Sequence, residues 1–527
     1  MLNGDGVMGR FAPLALFLLL LAVYLINGDL LVVNDATPNL YLPVSLVREG
    51  NVTFTPDEYP FMFIWNVDTP AGQQQRLFPP WDMTFQGASI LDLHRAGKAR
   101  VKGGIYMAVE SVREGQYVNF FGLGTGISAL PVIGPLTGVL GDWHLHQAWL
   151  WQAGKCIAAA YAAGSAALLV LVARSLIDGK SAFLVALAYG LGTCVWSVSS
   201  QGLTQHAPNE FFLMLGTFFL TRVGRDRRQA AFSAAAYAWA VWCRPTSALV
   251  VCCALGYLVW KDRRALVPFM VTGLPFAVAL GVYNAYYLGS PFRFGQTVGG
   301  EMLAEIKTGS PEVWQTPLWE GLAGHLVSPS RGLFVFSPFL LFAVWGAVRA
   351  WKRPEFAALR PLLVATALML LVESKHFDWW SGLSYGYRHI VDLMPFAALS
   401  LVPVMPDIRR RRLLLAVFVA LLAWSVGVQF LGAFAYDING WNRRVATTLR
   451  LPDRADLVVV ADREEVERLK AIPGVMALSE EGQDVDSPRY RHRLWSWRDN
   501  QIGYHALHFT EGRMARRAQY EPLLHPR

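Results

Sequence analysis

The chain lacks a Gly-rich phosphate loop carrying a lysine, and it has no H-E-x-x-H. A nucleotide-driven mechanism and a zincin-type metal site therefore have no footing in it. Cysteine is scarce. All five, Cys156, Cys194, Cys243, Cys252 and Cys253, fall within apolar runs, so no disulfide framework holds the polar segments. Cys252-Cys253 has no metal-ligand spacing. Charge is also sparse: charged residues make up 16% of the 527 positions against 54% hydrophobic, which excludes an ordinary soluble enzyme. No repeat at a fixed period and no matching pair of halves is visible, which counts against a transporter built from repeats.

In place of these features stand long apolar stretches. About eleven runs of roughly 16–24 residues are long enough for membrane helices. They lie near 11–26, 150–173, 181–199, 207–221, 229–243, 246–260, 265–288, 332–350, 361–373, 389–405 and 413–434. The expected fold class is thus an α-helical polytopic membrane protein with about eleven transmembrane helices. The first run has a single preceding cation, Arg10, and no small-x-small cleavage site follows Ile26, so it reads as a retained anchor.

Short basic clusters abut every second loop. They are Arg174 with Lys180; Arg222, Arg225, Arg227 and Arg228; Lys261, Arg263 and Arg264; Arg349, Lys352, Arg353 and Arg360; and Arg409 to Arg412. By the positive-inside rule those loops are cytoplasmic, with the N-terminus inside and the C-terminal segment outside. The net charge of +8 is then mostly topological, and its scatter over separate loops argues against a nucleic-acid partner.

The first external region, 27–148, is expected to hold helix-like stretches near 38–49 and 86–98 among loops. Its Tyr117–Gly126 segment leads into a Gly- and Pro-interrupted run to Leu140, expected to be interfacial or re-entrant. Two further external regions follow, about 289–331 and 374–388. After 435 the composition turns polar. Leu457–Val460 and Val475–Leu478 read as strands and Arg463–Ile472 as an amphipathic helix, a small α/β region over 436–527.

Asp35 stands just after the first run, at the head of a short amphipathic segment. Two readings are open: an ordinary helix cap before Pro38, or a general base taking a proton from an acceptor hydroxyl. His206, Arg244, Arg331, Lys375, His376 and Arg388 all lie at the outer ends of runs. Singly such cations snorkel; gathered, they would clamp a phosphate at headgroup depth. Trp379, Trp380, Tyr385 and Tyr387 would form either a wall for a sugar or an interfacial aromatic belt. Asp142, His144 and His146 form a D-x-H-x-H string with poor geometry for one ion, and no metal ligand set is assigned. Asn51-Val52-Thr53 fits a glycosylation acceptor pattern.

Taken together, the layout resembles the C-type (GT-C) membrane glycosyltransferases, most nearly the protein O-mannosyltransferase and aminoarabinose-transferase branch and its bacterial relatives. The residues carrying the likeness are Asp35-Ala36-Thr37 with Tyr41 and Glu49-Gly50-Asn51, and Gln205-His206-Ala207-Pro208. With them go Cys243-Arg244-Pro245-Thr246, Ser328–Phe334 and Tyr385-Gly386-Tyr387-Arg388. The likeness covers 1–435, a transmembrane glycosyltransferase domain; the region 436–527 matches nothing in it. The resemblance implies an inverting transfer of a sugar from a polyprenyl-phosphate donor to a glycan, lipid or protein acceptor of the cell envelope. It implies Asp35 as catalytic base, though Ala36 stands where the family often has Glu, with Asp29 or Glu58 as alternative acids. It implies a bacterial inner membrane with the active face toward the periplasm, and it leaves open whether a divalent cation assists. The competing reading is a lipid or lipid-linked-sugar transporter, which would carry charges mid-span rather than at span ends.

Overall fold

Every apolar run becomes helix, although three of them do so in pieces. The computed structural model describes residues 7–55, 58–59, 62–69, 72–76, 84–85, 88–89, 100–105, 107–142, 146–452, 457–460 and 463–524. Among these, four helices are long and apolar enough to cross a membrane: Gln147–Ala173, Arg263–Leu288, Pro354–Ser374 and Arg412–Ala435. Gly179–Gly192 and Cys194–Gln201 make a fifth if taken as one span bent by 44°. The other apolar helices, including Val7–Leu25, His206–Leu220, Gln229–Cys243 and Ala248–Lys261, are shorter or less apolar.

The run at 332–350 is divided into Leu333–Phe336 and Leu341–Lys352, with Pro338 between them. That at 389–405 is divided into Arg388–Leu393, Met394–Leu399 and a turn leading to Met405–Arg410. Pro395 and Pro406 each open a new helical segment, since proline donates no backbone hydrogen bond and suits only a first turn.

Gln147–Ala173 is the central helix: 67% of its apolar window is covered by neighbours, against 17% for Arg263–Leu288 and 22% for Arg412–Ala435. Its neighbours come close because the facing residues are small. Ala158, Ala159, Ala162, Ala163 and Ala166 are all buried there. Likewise Gly216 of His206–Leu220 lies so near the Tyr237 ring that a methyl group would meet it at 2.4 Å. Such close packing supplies many short-range attractive contacts between the helices.

The region 27–148 departs from the sequence expectation. The helix over 38–49 is present as Thr37–Arg48, with Pro38 in its first turn and Pro43 carried inside it. In place of a helix over 86–98, Ala88–Ser89 pair with Thr84–Phe85 as strands, and the rest of that stretch lies outside the described residues. Two three-stranded antiparallel sheets accompany it. In one, Tyr117–Asn119 sits between Thr53–Phe54 and Ala108–Glu110; in the other, Phe63–Thr69 sits between Gly72–Arg76 and Arg100–Ile105. Alternation there is short and broken by Gly and Pro, which hid the strands. Gly124–Leu140 is the expected short apolar helix, 17 residues long.

The polar region contains both expected strands and the helix Arg463–Lys470. A third strand, Arg443–Arg450, pairs with both and forms the sheet's centre. Beyond it, Gln501–Leu507 and Phe509–Leu524 return to the apolar helices. Arg516, fully buried, donates to Gln201 Oε1 at 2.9 Å and to the Gly432 carbonyl at 3.2 Å. Arg517 pairs with Asp29 at 3.0 Å. The region is therefore docked into the helical body.

Candidate functional site

Asp35 lies in the short helical turn Asn34–Ala36, and no side chain caps either that turn or the helix Thr37–Arg48. The carboxylate points elsewhere. It is paired with the Arg388 guanidinium, and the two side chains keep 27% and 15% of their surface exposed. The backbone that carries Asp35 is held from behind. Asn39 Nδ2 donates to the Asp35 carbonyl at 3.1 Å and to the Leu203 carbonyl at 3.3 Å, while Asn119 donates to Asn39 Oδ1.

Next to Arg388 in sequence lies a group of buried charges drawn from four segments. Arg244, at the end of Gln229–Cys243, donates to Asp392 and, at 2.7 Å, to Glu373. His206 Nδ1 is 2.9 Å from the same Asp392 carboxylate, and Asn209 donates to its other oxygen at 2.8 Å. His389 Nδ1 lies 3.2 Å from the second Glu373 oxygen, without hydrogen-bond alignment. One guanidinium faces two carboxylates, so Arg244 is already balanced. Such a group is costly to bury unless fully paired, and it resists any movement that would unpair it.

Beyond this group the loop 374–388 carries further polar side chains. The His376 ring packs on Phe377, Trp314 and His389, with centroids 4.7, 5.5 and 4.7 Å away. Its burial, despite Asp378 nearby, lowers the pKa to about 4, so His376 is neutral at pH 7. Lys307 joins two segments, 2.8 Å from Asp378 and 3.1 Å from Asp486. Burial opposes the Lys307 charge, but the two carboxylates outweigh it and hold the pKa above the ordinary lysine value. Burial likewise works against the Asp378 carboxylate, and Lys307 reverses this to hold it below the usual range. Lys375 makes no ion pair or side-chain hydrogen bond among the described residues.

The predicted cations thus divide. His206, Arg244 and His376 lie in one buried group around Asp392, Glu373 and His389, and Arg388, next to His389 in the chain, is paired with Asp35. Arg331 does not join it. All five of its N–H donors serve protein oxygens: Trp380, Ser330 and Gly382 carbonyls and the side chains of Gln501 and Asn442, at 2.8 to 3.2 Å. No donor remains for a phosphate.

The four aromatics are core residues. Trp379 and Trp380 pack with Trp441, Val485 and Leu494, and Trp380 Nε1 donates to Asp486 at 2.8 Å. Tyr385 donates to the Val428 carbonyl at 2.6 Å, and Tyr387 exchanges a hydrogen bond with Ser337 at 2.6 Å. None of the four is more than 3% exposed, which leaves no open wall for a sugar. Gly382-Leu383-Ser384-Tyr385-Gly386 has the spacing G-x-S-x-G. Ser384 is buried, however, its Oγ has no hydrogen-bond partner, and no strand precedes the turn as a nucleophile elbow requires.

Of the alternative acids, Asp29 is buried beneath Arg517, and Glu58 is exposed beside Thr55. Among the described residues no group of three or more His, Cys, Asp or Glu is arranged to hold a metal; His144 lies outside them. A cavity of about 360 Å³ opens away from this site, between Tyr257, Trp260 and Cys253 on one helix and Arg360, Pro361 and Val364 on another. Its lining is mostly apolar, and Arg360 has no carboxylate beside it there. Sequence reasoning missed Glu373, Asp392 and His389. Their one signal was an ionisable residue in or beside an apolar run. No protein-family model matches this chain, and no curated protein matches it significantly.

Proposed function

We propose that this protein is a GT-C-like inverting glycosyltransferase, in which Asp35 is the general base and Arg388 receives the phosphate of a polyprenyl-phosphate sugar. The observation that carries the reading is the half-open Asp35–Arg388 pair, backed by buried groups that cannot easily move. A base and a cation in contact, at the outer end of an apolar bundle, suit a donor whose leaving group is a phosphate at headgroup depth.

The reaction is a single displacement. The acceptor oxygen attacks the anomeric carbon, its proton passes to Asp35, and the bond to the phosphate oxygen breaks. Polyprenyl phosphate leaves with the bonding electron pair, and Arg388 neutralises it. Because the leaving group is a phosphate, no second carboxyl is required to protonate it, unlike the pair of a glycosidase. The arriving phosphate competes with Asp35 for the guanidinium, and that exchange frees the carboxylate to act as base.

In this reading the eleven runs span a bacterial inner membrane, with the basic clusters cytoplasmic and Asp35 and the 436–527 region periplasmic. The acceptor is a glycan, lipid or protein of the envelope. The test supplies purified protein in nanodiscs with labelled polyprenyl-phosphate sugars and an envelope extract, comparing wild type with Asp35→Asn. Transfer by wild type with inversion supports the reading. Retention of configuration, or equal transfer by the variant, overturns it. The alternative, a transporter of lipid-linked sugar, draws on Glu210, a carboxylate buried inside an apolar helix between Ser199 and Tyr189. Donor translocation across vesicles without transfer would favour it.

A further inference from the structure

The turn that carries Arg388 is made to a shape it could not keep alone. Gly386 has a φ of +56°, and a methyl group there would lie 2.9 Å from Phe336 and 3.0 Å from Cys194 Sγ. Its flanking tyrosines are held by the apolar helices through Val428, Ser337 and the Cys194 amide. What holds the glycine itself comes from far downstream. Gln501 Oε1 accepts from the Gly386 amide at 2.8 Å and from Arg331 Nη1 at 3.0 Å, and Gln501 Nε2 donates to the Ser384 carbonyl at 2.8 Å. Gln501 is fully buried, so these bonds have no competing water. Arg331 extends the clamp upstream along the same loop, to the carbonyls of Trp380 and Gly382.

We infer that Gln501 of the C-terminal region, with Arg331, is a positioning residue that sets the Ser384–Tyr387 turn and thereby aims Arg388 at Asp35. The inference rests on the transferase reading for its kinetic consequence, and on the hydrogen bonds alone for its structural one. An amide side chain suits the task because it offers an acceptor to the glycine and a donor to the serine carbonyl at once. Arg331 thus serves the site through the backbone and through Gln501, whose bond to Gly386 lies two residues from the cation that would meet the phosphate.

The experiment compares wild type, Gln501→Leu, Gln501→Glu, Arg388→Ala and the Arg388→Ala/Gln501→Leu double variant in nanodiscs. It measures thermal unfolding, amide exchange over 384–388, and kcat and donor KM with a polyprenyl-phosphate sugar. Gln501→Leu is expected to speed exchange of the Gly386 amide and to cost about 10- to 100-fold in kcat/KM, the scale of a misplaced positioning group. Gln501→Glu keeps the acceptor for Gly386 and Arg331 and is expected to recover at least about tenfold of that loss. In the double variant the Gln501 change should cost nothing more than Arg388→Ala alone, because its effect runs through Arg388. Additive losses, or unchanged exchange in Gln501→Leu, would overturn the inference. Should wild type transfer no sugar, the transferase reading fails, while amide exchange in Gln501→Leu and Gln501→Glu still decides whether Gln501 holds the turn.

Discussion

Arg388 donates a hydrogen bond to the Asp35 carboxylate across 353 positions of sequence. The pair joins the turn Asn34–Ala36 to the loop that leads into Arg388–Leu393. In the free protein each group satisfies the other, and the proposed donor must displace one to engage the other.

Asp35→Asn keeps the side-chain shape and removes the base. Loss of about two or more decades in transfer rate, with unfolding temperature nearly unchanged, is expected. Sugar release with labelled donor measures it, and the half-exposed position makes a folding defect a poor explanation of any loss.

Arg244→Met tests the buried group. The substitution leaves Asp392 and Glu373 facing each other without their shared cation, an arrangement that costs about 3–5 kcal/mol. A drop in thermal unfolding temperature in detergent is expected. Arg244→Met/Glu373→Gln, which removes one of the two stranded charges, should regain part of it.

The position of Gly386 admits no side chain. Gly386→Ala forces a left-handed conformation on alanine, at about 1–2 kcal/mol, and pushes a methyl group against Phe336. Reduced stability together with reduced transfer is expected, and unfolding curves in denaturing detergent mixtures quantify the first part.

Acid should loosen the external loop. Burial holds His376 at about 4 in the folded protein against 6.5 for the ordinary side chain. Between those values the unfolded chain binds a proton that the folded one refuses, so stability falls as pH drops from 6.5 toward 4. Above 6.5 the contribution is constant. Thermal unfolding of wild type across this window should slope more steeply than that of His376→Phe, which removes the titrating ring.

Much of the helical layout was legible because hydropathy is additive along the chain. The runs at 150–173, 265–288 and 413–434 match Gln147–Ala173, Leu266–Leu288 and Arg412–Ala435 nearly end to end. The site was half legible. Of the cations at the ends of runs, His206 and Arg244 meet at Asp392, and Arg388 meets Asp35. Which carboxylates meet them was not legible. Asp392 and Glu373 find Arg244 through packing of distant helices, and no local spacing records such a pairing. Arg331 misled for a related reason: an arginine in a Gly-rich turn looks the same whether its fork holds a phosphate or five protein oxygens. The sheet of Thr53–Phe54, Ala108–Glu110 and Tyr117–Asn119 was missed because its strands run for only two or three residues.

The burial of Arg516 against Gln201 and Gly432 has a consequence for biogenesis. Gln201 belongs to a helix that leaves the ribosome some three hundred residues before Arg516 does, the two being 315 positions apart. The helices around Gln201 must therefore keep that polar socket open until the downstream region has been synthesised. A chain stopped after Arg412–Ala435 would fold around a socket that nothing fills.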